Sequence, residues 1–375
     1  MRRASTYCEL ATVGGGIVGL FAMYWARKQG ANVMVFDRYY PPHHWGSSHG
    51  GTRAIEHSFN EIDERYKPWV QETWHLWEMI NQAFPSVIPL RRTGAIILLA
   101  ERDSRRESIQ SWGEELGVSL TVLGTRRLRS YFPDFSIPHH TVGIWEKDAG
   151  LIRVEPLIEA MVSWAETSGV SQHFGEEVQE IRMETNKVTL ITSQRNYHAK
   201  HVIVTPGSGL SQFDSALPIS TKRQIMFWVP ANSLKLSAAV SVDVDGYSRI
   251  AFYPHGHKGV KIVADEPLPE NPFGTPNVRW VSAEMIARVN HAVRPFWRGI
   301  DRAPLMRHER CTDSYTPDSH FYVGIWPKCP PIVIGAGFSG RGFKYAPLVG
   351  QWLVDLALQG NSDEDLSLFR LNRYS

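Results

Sequence analysis

Apolar and polar positions alternate in short blocks along this chain, and the first block is the clearest. An apolar run at 10–13, long enough for a buried strand, ends at Gly14, and Gly16 and Gly19 follow in the spacing G-x-G-x-x-G. The apolar-rich segment 17–27 predicts a helix ending near Gly30, and a second β-like run at 32–36 closes on Asp37. The order is strand, tight turn, helix, strand and terminal acid. In that context Gly14 permits the turn, Gly16 lets a pyrophosphate approach the backbone, and Gly19 lets helix and strand pack closely. The helix N-terminus offers free N–H groups and partial positive charge to phosphates. Asp37 follows about 20 residues on, where a carboxylate can accept from ribose hydroxyls. The block therefore predicts a dinucleotide site.

Further along, apolar residues at helical spacing (Tyr66, Trp69, Val70, Trp74, Leu76, Trp77, Ile80) predict an amphipathic helix over 62–83. The pattern then gives a buried strand at 93–100, a polar helix at 102–116 ended by Gly117, a short strand at 119–123 and a helix at 125–132 stopped before Pro133. A helix at 154–168 precedes strands at 178–181, 187–192 and 201–204, the last running into Thr205-Pro206-Gly207 as a strand returning to the nucleotide sheet. From Lys222 onward β-like runs dominate, at 224–229, 238–244, 250–253 and 259–263, followed by a helix at 282–293. Mostly antiparallel β structure there fits a substrate domain. Finally 331–344 repeats the logic of the opening, a buried strand running into a Gly-rich turn and then a helix at 348–359. A second glycine-lined helix N-terminus suits the far end of the same cofactor, which a flavin site needs and a nicotinamide site does not.

Length and composition narrow the class. A chain of 375 residues can bury a large core and suggests two domains. Apolar content of 43% with 21% charged residues is that of an ordinary globular protein. A net charge of +2 and the lack of a basic stripe argue against nucleic acid as a partner. The apolar run at 10–25 is about 16 residues, short of the roughly 20 that span a bilayer, and glycines break it, so neither export signal nor membrane helix is expected. Three cysteines, Cys8, Cys311 and Cys329, give no disulfide framework, so a reducing, cytoplasmic setting is expected. The 13 tryptophans fill core or cleft. No metal site is expected.

The candidate chemistry begins in the Pro-, Gly- and Ser-rich loop 41–53, by composition a solvated loop; its position just after the dinucleotide unit favours instead a loop that folds back over the cofactor, with His49 and Arg53 then as donors facing it. Lys261 lies in an otherwise apolar strand, where a cation needs a reason. Lys344 lies near a helix start, electrostatically poor for a cation. As lone cysteines, Cys8 and Cys329 read as small buried hydrophobes.

The opening fold, the Gly46-Ser-Ser-His-Gly-Gly-Thr-Arg53 loop, Gly259-Val-Lys261, Cys311 through Phe321, and Gly337-Phe-Ser-Gly-Arg-Gly-Phe-Lys344 occur together in this order, and nearly the whole chain resembles the monomeric sarcosine oxidase family. That family includes N-methyltryptophan oxidase, pipecolate oxidase and the fungal fructosyl amine oxidases (amadoriases). The resemblance implies an α/β fold of the glutathione-reductase flavoprotein type, similar to D-amino-acid oxidase. It implies a discontinuous Rossmann-like FAD-binding domain (1–88, 150–215 and 318–375) and an antiparallel-sheet substrate domain (89–149 and 216–317). FAD contacts are implied at Gly14, Gly16, Ile17, Val18, Gly19 and Asp37, at Ser47, Ser48, His49, Arg53 and Val178, and at Gly337, Gly340, Arg341, Gly342 and Lys344. Cys311, in the context Cys-x-Asp-x-x-Thr-Pro-Asp-x-x-Phe, matches the cysteine that holds FAD by a thioether to the flavin 8α carbon.

In the same resemblance Lys261 matches the lysine beside flavin N5 that helps activate oxygen, where a cation stabilises developing superoxide. Lys344 matches the lysine that binds the substrate carboxylate. The departures fall in the substrate pocket. Glu56 stands where amino-acid-oxidising members carry a second arginine, Asp313 where sarcosine oxidases carry a tyrosine, and Asp265 where the family has a histidine. Two new acids imply a substrate with an additional cationic or hydroxyl-rich group, not sarcosine. The implied reaction oxidises a secondary or N-methyl amine C–H to an imine, with oxygen returning as hydrogen peroxide, in a monomer acting on a small molecule. A dehydrogenase or demethylase passing electrons to a protein partner, and a non-catalytic FAD-binding protein, are the alternatives. Retention of Lys261, Cys311 and Lys344 argues against the last.

Overall fold

A computed structural model describes residues 6–59, 63–230, 232–244, 247–256, 259–265, 281–304 and 306–374. The opening block forms β1 (Tyr7–Val13), α1 (Ile17–Lys28) and β2 (Val33–Asp37). β1 and β2 pair in parallel, with Leu10 opposite Val33 and Val13 opposite Phe36. Where they pair, Leu10 to Thr12 of β1 and Val33 to Phe36 of β2 are buried, as parallel strands covered on both faces are. Residues 17–26 of α1 are all buried. A helix apolar all round is one that lies inside.

Among the described residues, two sheets of eight strands and a small one of three organise the rest. On the small sheet β3 (Thr52–Ile55) pairs with β8 (Gly150–Arg153), which also pairs with β4 (Leu90–Arg92). The sheet of β1 and β2 continues on one side to β9 (Ser171–Phe174) and on the other to β12 (Asn196–Val204), both in parallel. β12 divides its second edge. Its first half pairs antiparallel with β11 (Lys187–Thr192), which carries β10 (Val178–Glu184), and its second half pairs parallel with β19 (Ile332–Ala336), which carries β18 (Tyr322–Ile325). The strand expected to return to the nucleotide sheet does so.

The other large sheet runs β17 (Arg307–Tyr315), β13 (Ser220–Val229), β16 (Val260–Asp265), β15 (Tyr247–Pro254), β14 (Ala239–Val244), β5 (Ala95–Ala100), β7 (Thr141–Glu146), β6 (Leu120–Gly124). It is antiparallel except for β14 and β5, which pair in parallel where the two sequence-distant halves meet. Its core is Ile96, Leu98, Phe227, Val240, Phe252 and Ile262 with Phe135 and Val293 packed on them.

Six helices around the sheets are α2 (Lys67–Ala83), α3 (Arg105–Glu115), α4 (Thr125–Tyr131), α5 (Val154–Thr167), α6 (Leu210–Phe213) and α7 (Ala283–Val293), the last capped by Ser282. α2 is entered through a 3-10 turn, Glu64–Tyr66, and Ile62, where the pattern starts the helix, lies outside the described residues. The final helix corrects an expectation. It is α8 (Gly342–Leu358), six residues longer at its start than the 348–359 expected. Pro347 lies inside the helix, where it has no N–H to give to Phe343 O, and two indoles take up nearby carbonyls, Trp77 Nε1 donating to Lys344 O at 2.7 Å and Trp25 Nε1 to Pro347 O at 2.8 Å. Strands β3, β4, β7, β8, β9, β17 and β18 also escape the sequence reading. Most are short or carry mixed polar residues, and they are strands because a neighbour fills their ladder.

α1 and α8 meet at Gly350, where a Cβ would lie 2.7 Å from Phe21 Cβ and 2.9 Å from the Phe21 carbonyl carbon. Gly350→Ala is expected to push the helices apart and to cost about 1–3 kcal/mol. A lower thermal midpoint by circular dichroism checks it; an unchanged midpoint would show that the helices slide without cost.

Candidate functional site

The opening turn is built by backbone crossing backbone. A Cβ on Gly19 would lie 1.9 Å from Gly14 O, so only glycine lets α1 begin this close to β1. A Cβ on Gly16, by contrast, would meet only Ser48 Oγ, at 3.5 Å. The Ile17 N–H donates to that same Ser48 Oγ at 3.0 Å, which ties the loop after Trp45 to the helix start, beside Val18. Asp37, at the end of β2, accepts from the Gly15 N–H at 2.6 Å and the Tyr39 N–H at 2.8 Å. The Glu176 N–H donates to Asp37 O at 3.0 Å, which brings Val178, two residues on, to this end of the sheet.

Loop 46–53 returns to the second sheet. Arg53, on β3, donates from Nη2 to Ser47 O at 2.6 Å and from Nη1 to Thr52 O at 3.0 Å, and its guanidinium stands 5.9 Å over the Phe343 ring. Ser47 Oγ donates to Thr312 O. Cys311 Sγ, fully buried on β17, lies 3.9 Å from Ser47 O and 3.9 Å from Arg53 Nη2. Burial first, then the Asp313 carboxylate, pushes the Cys311 thiol up to about 12, against the pull of Arg53 and Lys261. Asp313 lies two residues along β17, paired in register with Lys222 of β13.

Lys261, on β16, is 1% exposed. Its ammonium donates to Thr52 O, and Nζ stands 4.7 Å over the Tyr253 ring. Burial first, and Arg53 second, hold its pKa well below the ordinary lysine value, while Cys311, Glu155 and Glu309 oppose them. Asp265, at the end of the same strand, pairs in register with Gln224. Lys344, in the first turn of α8, sets Nζ 3.6 Å from Glu56 Oε1, and both residues are buried. Gly337 and Gly340, both at positive φ, carry the second turn into Gly342 at the start of α8. Arg341 turns away into an aromatic cluster, 4.6 Å over Tyr66 and 5.2 Å over Phe321, and donates to Ser319 O at 2.5 Å.

Several acids that hold these residues escape the sequence reading. Glu155, in the first turn of α5, accepts from the Gly50 N–H at 2.7 Å and the Gly51 N–H at 2.9 Å. Gly51 has φ of 82°, and a Cβ there would overlap His255, 1.9 Å from Cε1. Glu155 stays below its ordinary pKa although burial opposes, because backbone N–H groups including those of Gly50 and Gly51 bond it. Glu309 precedes Cys311 by two residues on the same face of β17, and that period was the available signal. Its Oε2 lies 3.2 Å from both His49 Nδ1 and His44 Nδ1, three groups whose ligand atoms all fall within 4.8 Å of one another. Burial opposes ionisation of Glu309, but bonds from His49 and Arg307 hold it near 2. Burial lowers the His49 pKa, and its Nε2 is buried with no hydrogen-bond partner among the described residues.

These features fit a flavin dinucleotide. The crossing at Gly14 and Gly19 leaves the helix start open beside Gly16, an acid closes β2, a buried imidazole nitrogen lacks a partner, and a buried thiol stands by Arg53 and Lys261. Residues 9–356 match the family described as DAO, FAD dependent oxidoreductase. The chain is 28% identical over 382 residues to N-methyl-L-tryptophan oxidase of Escherichia coli (strain SMS-3-5 / SECEC), covering 98% of this chain and 99% of that one. Among solved structures, L-proline dehydrogenase from P. horikoshii superposes with a TM-score of 0.84 at 20% identity, covering 99% of this chain and 98% of that one. Amadoriase I from Aspergillus fumigatus superposes with a TM-score of 0.81 at 18% identity, covering 98% and 90%. Those two share its fold. The relatedness in sequence along nearly its full length places this chain in the DAO family of FAD dependent oxidoreductases, among relatives of the N-methyl-L-tryptophan oxidases.

Proposed function

We propose that the chain oxidises a secondary or N-methyl amine, converting amine and oxygen to imine and hydrogen peroxide, on a specialised substrate and not on sarcosine. The observation that carries the reading is the convergence on β3 of a buried thiol, Cys311, a half-buried guanidinium, Arg53, and a buried lysine, Lys261, with the buried Lys344–Glu56 pair just beyond the strand. Mere binding of a dinucleotide needs none of these beyond Arg53. Bound FAD would supply the two-electron acceptor for the amine C–H. Residues 1–88, 150–215 and 318–375 would form its domain and 89–149 with 216–317 the substrate domain.

Gly14, Gly16, Ile17, Val18 and Gly19 would hold the pyrophosphate, Asp37 the ribose and Val178 the adenine side. Ser47, Ser48, His49 and Arg53 would hold the ring end, with Gly337, Gly340, Gly342 and the backbone of Arg341 at the second turn. Cys311 would fix the flavin as a thioether. Lys261 Nζ is directed at Thr52 O in a dry site where, when protonated, it would act strongly on developing negative charge. Lys344 and Glu56 face the substrate. Anaerobic bleaching of the flavin by a panel of N-methyl amino acids, cyclic imino acids, glycated amino acids and aromatic amines tests the reading. One peroxide per turnover separates an oxidase from a dehydrogenase with a protein acceptor.

Two outcomes are expected of the purified protein. Acid precipitation leaves the yellow flavin on the wild-type polypeptide and releases it from Cys311→Ser. Flavin lost entirely from the wild type refutes the thioether. Lys261→Met slows reoxidation of the reduced enzyme by oxygen by about 100-fold or more, with anaerobic reduction changed far less, as stopped-flow absorbance reads. Because the Lys261 pKa is depressed, the wild-type oxygen step falls as pH rises through a value below the ordinary lysine range, and the variant loses that limb. Equal small effects on both half-reactions would reduce Lys261 to a packing residue.

A further inference from the structure

The segment that leaves β3 is held tightly although it has no regular structure. Glu146, fully buried at the end of β7, accepts from the His57 N–H at 2.9 Å, lies 2.6 Å from His57 Nδ1, and accepts from Ser58 Oγ at 3.1 Å. The His57 ring stacks on Trp74 of α2, centroids 4.2 Å apart and planes within 3°. Trp112 Nε1 of α3 donates to His57 O at 2.9 Å. Three elements thus fix the residue that follows Glu56. The backbone beside Glu56 is thereby held in place, and the Glu56 carboxylate lies 3.6 Å from Lys344 Nζ with both side chains at most 5% exposed.

The charge arithmetic follows from position. Lys344 sits in the first turn of α8, where the helix dipole disfavours a cation, so its ammonium depends on a nearby anion, and Glu56 is that anion. The pair sums to no net charge. A ligand carboxylate arriving beside it would lose its hydration and meet Glu56 as closely as it meets Lys344. An uncharged group with an acceptor and a donor suits both partners, its oxygen accepting from the ammonium and its N–H or O–H donating to the carboxylate.

We propose that Glu56, locked by Glu146 acting as a positioning residue, internally neutralises Lys344, and that the site selects secondary amines carrying a carboxamide or hydroxyl where an amino acid carries its carboxylate. This rests on the amine-oxidising reading above and names its substrate class.

The test compares matched amines on the holoenzyme. N-Methylphenylalanine and N-methyltryptophan are set against their carboxamides in anaerobic flavin bleaching, with rates referred to the neutral amine. The carboxamides are expected to react roughly tenfold faster or more in the wild type, since a misplaced charge in a buried site costs at least that factor. Glu56→Gln removes the neutralising charge and is expected to erase or invert the ratio. Glu146→Gln keeps Glu56 but loosens its clamp, and shifts the ratio the same way, which a purely structural role for Glu146 would not do. Acids reacting as fast as carboxamides in the wild type, or a ratio unmoved by Glu56→Gln, overturns the proposal. Calorimetric titration of the holoenzyme with benzoate and benzamide separates the two readings. Tighter benzamide binding that Glu56→Gln reverses, with no amine bleaching the flavin, keeps the anchor and rejects amine oxidation. Tighter benzoate binding in the wild type, or no binding of either, rejects the anchor.

Discussion

The stretch from Gly46 to Ser58 depends on buried carboxylates that belong to other elements. It contains a single four-residue strand, β3, yet it carries His49, Arg53 and Glu56 and reaches Cys311, Lys261 and Lys344. Glu155 of α5 gathers the N–H groups of Gly50 and Gly51, Glu309 of β17 takes His49, and Glu146 of β7 takes His57 and Ser58. Each acid comes from a different part of the fold. A loop with this many backbone N–H groups turned inward has to find acceptors for them, and carboxylates are the strongest available. The loop is therefore as rigid as the sheets that hold it, which a site needing fixed distances requires.

That arrangement concentrates buried charge. Lys261, Lys344, Glu56, Glu146 and Arg341 are all buried. Buried ion pairs contribute little net stability, because desolvation cancels most of the attraction. Their presence here is better explained by chemistry than by folding. The stability instead resides in the packing of α1, α2 and α8, where Phe21 meets Trp77 edge-on, Trp77 stacks on Phe343, and Trp69 meets Trp352 edge-on. The two tasks are separated in space, so the apolar layer keeps the turns in place while the polar layer beside it is free to carry charge at odds with its surroundings.

Glu56 sets the sign of the charge at one point of this site, 3.6 Å from Lys344 Nζ. On the proposed reading, that sign in a dry site selects which ligands enter.

How far the sequence reached depended on whether a signal was local. The strand, glycine turn, helix and Asp37 were legible because their reasons lie within forty residues: hydrophobic period, the left-handed or close-approach need for glycine, and the length of one β-α-β unit. Lys261 stood out by being charged in an apolar strand, and its burial agrees. Strands such as β8 and β17 were not legible, because a polar-containing segment becomes a strand only when a partner supplies its ladder. The start of α8 was read six residues late, after the Gly-rich turn, whereas Trp77 and Trp25 of distant helices donate to the Lys344 and Pro347 carbonyls within its first turns. Nothing in the sequence coupled Glu146 to His57, 89 residues apart, or Glu155 to Gly50, 105 apart. The sequence by itself determined the dinucleotide turn and the chemical types at the site. Only the tertiary structure decided which acid neutralises which cation, because that pairing is made through space between elements whose separation along the chain carries no period to read.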